Sequence, residues 1–257
     1  MAAVLRSTLI ICAVIFAIAV PTFQVVYQFG QSAAAFSFQG DDILRVAGFA
    51  FAIWGLLYLG MIVYAVYQAL PFARASETLK VYAWPSVVAI SGCGLWILMA
   101  ALNWTWMTVV VISASAAALI FALVRMQGLG KPSDQLLIAL PLNLLAGWLT
   151  IASIVNVVTV LTIERVITAD YATVTGLVAI GVATVVASAV AVYGRSAFYL
   201  APIIWGLYGV RVAESARQPL IADAAGLAVL ALSGLVVATF VLRMFRFLRS
   251  QRAERQV

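Results

Sequence analysis

Trp148, Ala152 and Asn156 recur four residues apart inside a hydrophobic run, so on a helix an indole, a small residue and a carboxamide share one face. An amide in hydrocarbon costs free energy unless something pairs with it, which leaves two readings: a helix contact or a buried ligand. Asn143 adds a second amide to the same run, with Pro141 and Gly147 near its start. A second stripe, Phe51, Trp54, Tyr58, Met61 and Ala65, recurs at three- and four-residue intervals. Such a face can stack on a planar ligand, while helix packing or an interfacial aromatic belt is the plainer alternative. Asn103 and Trp106 bring an amide and an indole together once more, at a position where capping a turn and anchoring at the interface is the simpler role.

The missing residue types narrow the chemistry. The chain has no histidine, so imidazole ligation of haem or metal and His-based general base catalysis are excluded. Its two lysines, Lys80 and Lys131, sit at run boundaries, where neither forms an intramembrane Schiff base, and no phosphate-binding G-x-x-x-x-G-K is present. Acids and bases fall at the ends of the apolar runs, Arg211 and Asp223 being the deepest, so ion coupling through intramembrane carboxylates is not indicated. Cys12 and Cys93 lack partner spacing for a disulfide or a metal site. What remains is aromatic and amide chemistry suited to a flat or greasy molecule, with no catalytic residue, no metal and no required cofactor.

The elements that must position these residues are membrane spans. Only 9% of the 257 residues are charged, against about 25% in soluble domains, and mean hydropathy is +1.12. Eight apolar runs, about 7 to 28, 46 to 70, 82 to 103, 105 to 126, 135 to 161, 171 to 193, 197 to 215 and 220 to 246, lie near or above the ~20 residues a helix needs to cross hydrocarbon. The expected fold class is therefore all-α, a polytopic bundle of about eight helices. Tyr82 to Met126 is too long for one crossing, and Asn103-Trp104-Thr105-Trp106 reads as a tight hairpin. With the N-terminus inside, eleven Lys and Arg residues fall on the cytoplasmic side and four outside, which fits eight spans with both termini cytoplasmic. The net charge of +6 gathers at the membrane edge, so membrane lipids rather than nucleic acid are the expected polyanionic partners. Tail arginines at every third position, Arg243 to Arg255, wrap around a helix as a collar for anionic headgroups.

Local features fill in the frame. Ala17-Ile18-Ala19 loosely fits a signal-peptide cleavage site, but the apolar run continues through Tyr27 and favours a retained helix. The longest loop, Gly30 to about Arg45, is expected to be solvated, with a cap or short helix over the outer face as the alternative. Ala179, Ala183, Ala187 and Ala191 form a small-residue ridge suited to close helix approach, which makes a homodimer plausible. Ile53-Trp54-Gly55-Leu56 recurs as Ile204-Trp205-Gly206-Leu207 on a run of opposite direction, a match that chance explains more simply than an inverted repeat.

Three strings carry a family resemblance. Trp54-Gly55-Leu56-Leu57-Tyr58 resembles the W-G-x-L-Y motif of the translocator protein family, also called tryptophan-rich sensory proteins or TspO/MBR proteins. Trp148, Ala152 and Asn156 are similar to that family's W-x-x-x-A-x-x-x-N on its fifth helix, and Leu102-Asn103-Trp104-Thr105-Trp106 resembles its third-helix L-N-W-x-W. The resemblance implies a five-helix bundle over residues 1–161 whose cavity binds porphyrins, sterol-like lipids or related hydrophobic ligands, lined by Trp54, Tyr58, Trp148, Ala152 and Asn156. Phe51, Asn143, Asn103 and Trp106 complete the candidate ligand-binding set. The chain departs from the family pattern in placing Pro141 seven residues before Trp148, where better known members have Pro-Tyr four before it. Residues 162–257, three further helices with a basic tail, have no counterpart in the five-helix form. The expected function is binding, and sensing or moving, a porphyrin-like or lipid-like ligand in a bacterial cytoplasmic membrane. The alternatives are a transporter of small hydrophobic metabolites and a structural subunit packed against pigments or partner helices.

Overall fold

The computed structural model describes residues 2–127 and 130–254, with side chains described for 3–127 and 130–241. Its regular structure among the described residues is helical, with no strand: α1 (Ala2–Tyr27), a short α2 (Ala33–Phe38), α3 (Ile53–Ala69), α4 (Glu77–Ala101), α5 (Thr105–Met126), α6 (Leu140–Ile163), α7 (Ala172–Gly194), α8 (Leu200–Glu214) and α9 (Pro219–Glu254). Capping and turn chemistry set several boundaries. The Ser76 hydroxyl accepts from the Leu79 backbone N–H to start α4. Asn103, at φ +57°, turns the chain between α4 and α5, so the hairpin read from the sequence is present. A 3-10 turn, Gly48–Ala52, leads into α3, and a π turn, Gln135–Ala139, leads into α6.

Among the described residues, seven stretches are long and apolar enough to cross a membrane: 3–27, 48–69, 77–101, 105–126, 132–163, 169–194 and 219–241. The seventh run, 197 to 215, gives a correction. α8 has 15 residues, about 22 Å at 1.5 Å per residue, short of the ~30 Å of hydrocarbon. Its N-terminal part sits within the bundle, where Ser196 already bonds Asn143 of α6. It nevertheless ends at the same pole as α6, because Glu214 contacts the backbone of Arg45 and Gly40 packs on Thr159. Connections therefore still alternate between two poles, one carrying the loop 28–52 and the 102–104, 164–171 and 215–218 turns, the other carrying the start of α1 and the ends of α3, α5 and α7.

Glycines let helices touch. A Cβ on Gly92 of α4 would overlap the Ser115 hydroxyl of α5, and one on Gly147 of α6 would overlap the Tyr199 carbonyl oxygen at the start of α8. One contiguous buried cluster runs from Ile10 to Leu232, so residues on both sides of position 162 share a core. The alanine ridge, Ala179, Ala183, Ala187 and Ala191, is buried inside this core among α5, α6 and α9, which removes the reason it offered for a homodimer. The arginine collar lies outside the described side chains, and Arg255 outside the described residues.

Candidate functional site

A cavity of about 270 Å³ lies among α3, α4, α5 and α6, with Gly206 of α8 at its margin. Of the residues singled out in the sequence, it brings together Phe51, Trp54, Trp148, Ala152 and Asn156. Four-residue spacing on α6 is what aims Trp148, Ala152 and Asn156 at one space. Trp148 is met edge-on by Phe51 (centroids 6.3 Å, 82°) and by Trp54 (6.3 Å, 83°), and Trp54 stacks on Tyr58 (5.4 Å, 30°). Edge-on and tilted pairs of this kind are the favoured arrangements of aromatic quadrupoles, so the rings hold one another in place.

The other candidates fall elsewhere. Tyr58 backs Trp54 from outside the lining. Asn143 is a structural amide: its Oδ1 accepts from the Tyr82 hydroxyl (2.7 Å) and its Nδ2 donates to Ser196 Oγ (3.0 Å). Asn103 sits in the exposed hairpin and accepts from Gln31 Nε2 (2.9 Å), while Trp106 lies half-exposed on the outside of α5. The physical reason is the same in each case. A nearer polar partner, or the bilayer interface, satisfies the side chain away from the cavity.

Asn156 makes a helix contact and borders the cavity as well. Its Oδ1 accepts from the Trp96 indole N–H (3.2 Å) and its Nδ2 donates to Thr108 Oγ1 (2.9 Å), tying α4, α5 and α6 together. One N–H and one lone pair of the amide remain uncommitted. One turn further on, Thr159 is buried yet its hydroxyl has no partner among the described residues, although it lines the cavity.

Sequence reasoning missed the α4 wall, Gly92, Cys93, Trp96 and Ile97, and held the roof only as the alternative reading of the loop. The roof corrects the solvated-loop expectation. Ser32 caps α2 by accepting from the Ala35 N–H (3.1 Å), and Phe36 is fully buried against Trp96 (5.9 Å, 88°), Ala100 and Val160. Ala33, Ser37, Phe38, Asp41 and Leu44 thereby cover the cavity. A serine ahead of an apolar segment is a start signal that the sequence did carry. Gly40 lies so close to α6 that a Cβ there would be 2.5 Å from Thr159 Oγ1.

The C-terminal helices hold this cap down. Buried Glu214 accepts two bonds from Arg217, Nη2 at 2.6 Å and Nε at 2.9 Å, and one from the Arg45 backbone N–H at 2.7 Å. Arg217 Nη1 donates to the Asp42 carbonyl (3.0 Å), the Ala47 N–H to the Gly209 carbonyl (3.2 Å) and the Trp205 indole to the Ala50 carbonyl (2.9 Å). Trp54 and Trp205, the matched tryptophans, thus do different work. Within the cap, Arg45 Nε pairs with Asp41 Oδ2 at 3.0 Å, yet burial pushes the Asp41 carboxyl above its usual range, with Arg45 and Arg217 pulling the other way. Among the described residues no group of His, Cys, Asp and Glu could hold a metal ion.

These features define a multi-pass helical membrane protein with an aromatic cavity closed by a cap at one pole. The chain belongs to the TSPO-like protein family, which it matches over residues 7–240, a span that includes α7 and α8 and reaches into α9. No curated protein and no solved structure gives a significant match.

Proposed function

We propose that the protein binds a planar hydrophobic small molecule beneath the cap, as a membrane receptor or carrier. The observation that supports this best is convergence. Two sequence stripes nearly one hundred residues apart, Phe51 with Trp54 and Trp148 with Ala152 and Asn156, meet at one mostly apolar cavity. Apolar lining supplies the affinity and a few polar atoms fix orientation. The family resemblance makes porphyrin-like and lipid-like molecules the ligand classes to consider. The charge distribution supports a bacterial cytoplasmic membrane with the cap facing outward and both termini in the cytoplasm. Ion-coupled transport has less support, because the buried acids Asp134 and Glu214 sit at helix ends with partners of their own. No catalytic role is assigned.

The test is saturable energy transfer from tryptophan to the uncharged probe 1-pyrenemethanol in zwitterionic nanodiscs, with empty discs subtracted. Trp148→Leu is expected to weaken binding about tenfold, and Trp106→Leu to leave it unchanged. Equal binding in both variants would remove the cavity from consideration. Counterflow of the same probe in liposomes would distinguish a carrier from a receptor.

A further inference from the structure

The lining of the cavity has a charge character that the aromatic stripes alone do not convey. Asp41 and the Cys93 thiol are its ionisable side chains, and no described Lys or Arg lines it. Asp41 is neutralised only in part: Arg45 engages Oδ2, and Oδ1 takes no hydrogen bond from the described residues. The surrounding pole is acidic, with Asp41, Asp42, Glu164, Asp170, Glu214 and Asp223 against Arg45, Arg165, Arg211 and Arg217. Below the cap, the polar atoms without full partners are the Thr159 hydroxyl, against the Gly40 backbone beside Asp41, and the Asn156 amide one turn deeper. The rest is apolar, ring surface from Trp54, Trp96, Trp148, Phe51 and Phe38 alternating with aliphatic side chains such as Leu44, Ile97, Ile112 and Val155. Aromatic faces attract a desolvated cation, and a carboxylate at the rim completes that preference. An anionic ligand would meet the opposite arrangement, a half-paired carboxylate whose cations, Arg45 and Arg217, are not part of the wall. The volume, about 270 Å³, sits at the small end of ligand pockets, fitting a compact ring system.

We propose that this cavity takes a compact, flat, apolar ammonium ion, its ring body among Trp54, Trp96 and Trp148 and its N–H groups toward Asp41 and the Thr159 hydroxyl. The assignment rests on the cavity being a ligand site, as argued above, and names what it selects. Carboxylate-bearing ring systems, tetrapyrrole acids included, are disfavoured by the same wall.

Three probes with one ring body test it in phosphatidylcholine nanodiscs at neutral pH: 1-pyrenemethylamine, 1-pyrenemethanol and 1-pyreneacetate, each corrected for empty discs. The ammonium probe is expected to bind at least tenfold more tightly than the acetate, with the alcohol between. Asp41→Asn should abolish the ammonium's lead over the alcohol, and Thr159→Val should weaken the alcohol and the ammonium together. An acetate that binds as well as the ammonium, or an ammonium lead that survives Asp41→Asn, overturns the proposal while leaving the cavity a ligand site. If no probe binds saturably, the ligand site itself fails and this assignment with it.

Discussion

At the scale of single residues, Asn156 shows how a buried amide can serve two ends. Replacing it with alanine leaves the Trp96 N–H without its acceptor and the Thr108 hydroxyl oxygen without its donor. The expected cost is about 1 kcal/mol, since membrane hydrogen bonds average somewhat less and an orphaned donor somewhat more. Unfolding of detergent-purified protein by a graded denaturing detergent would measure it, and Trp96 emission should shift red as the indole loses its anchor. Asn156 borders the cavity and Asn143 lies away from it, a difference that was partly legible in the sequence. Thirteen residues separate them, about 220° around a helix at ~100° per residue, so they could not share a face. What could not be read was Ser196, a partner fifty-three positions away. Trp96 went unnoticed for a related reason, because its motif is a contact with Asn156 that exists only once α4 and α6 are side by side.

At the scale of elements, the cap and the α8–α9 turn behave as one unit. Removing the charge of Glu214 with Gln leaves the Arg217 guanidinium a single neutral acceptor in place of a bidentate carboxylate, a loss of about 1–3 kcal/mol for this partly exposed pair. The expected result is faster amide exchange across residues 33–47, by tenfold or more, with exchange in α4 unchanged. Protection that stays the same would mean that Phe36 and Gly40 hold the cap unaided. Gly147→Ala tests a different joint, since the added methyl pushes α6 away from the Tyr199 carbonyl. Overpacking of this sort costs about 1–3 kcal/mol, seen as a lowered unfolding midpoint. Element existence was legible from the apolar runs, down to the α4–α5 hairpin. The cap was not, because the charges that pin it come from positions 214 and 217, so its own residues read as a polar surface loop.

At the scale of the whole molecule, the eight runs became seven full-length stretches and one short helix, and a single core joins them. Composition and charge spacing carried the fold class, since hydrocarbon imposes helices on any chain this apolar. They did not reveal that the alanine ridge faces inward, because a close-packing surface looks the same whether its partner is another helix of the chain or a second copy. Ala183→Leu separates these cases. Its methyls would enter a fully occupied core, so stability should fall by about 1–3 kcal/mol while the mass measured in detergent by light scattering stays the same. A change of oligomeric state at constant stability would put the ridge back on an outer interface.

The clamp on the cap also sets an order of events during synthesis. Residues 41–47 leave the ribosome early, but their partners at 209–217 follow some 170 positions later, after five more helices, α3 to α7, have been delivered to the membrane. Until then the roof over the aromatic-lined cleft rests on Phe36 and Gly40 alone, without its clamp. The segment from α8 onward therefore acts as the closing step of biogenesis, and a chain stalled or cut before α8 would leave the membrane with the aromatic walls in place and the roof unfastened.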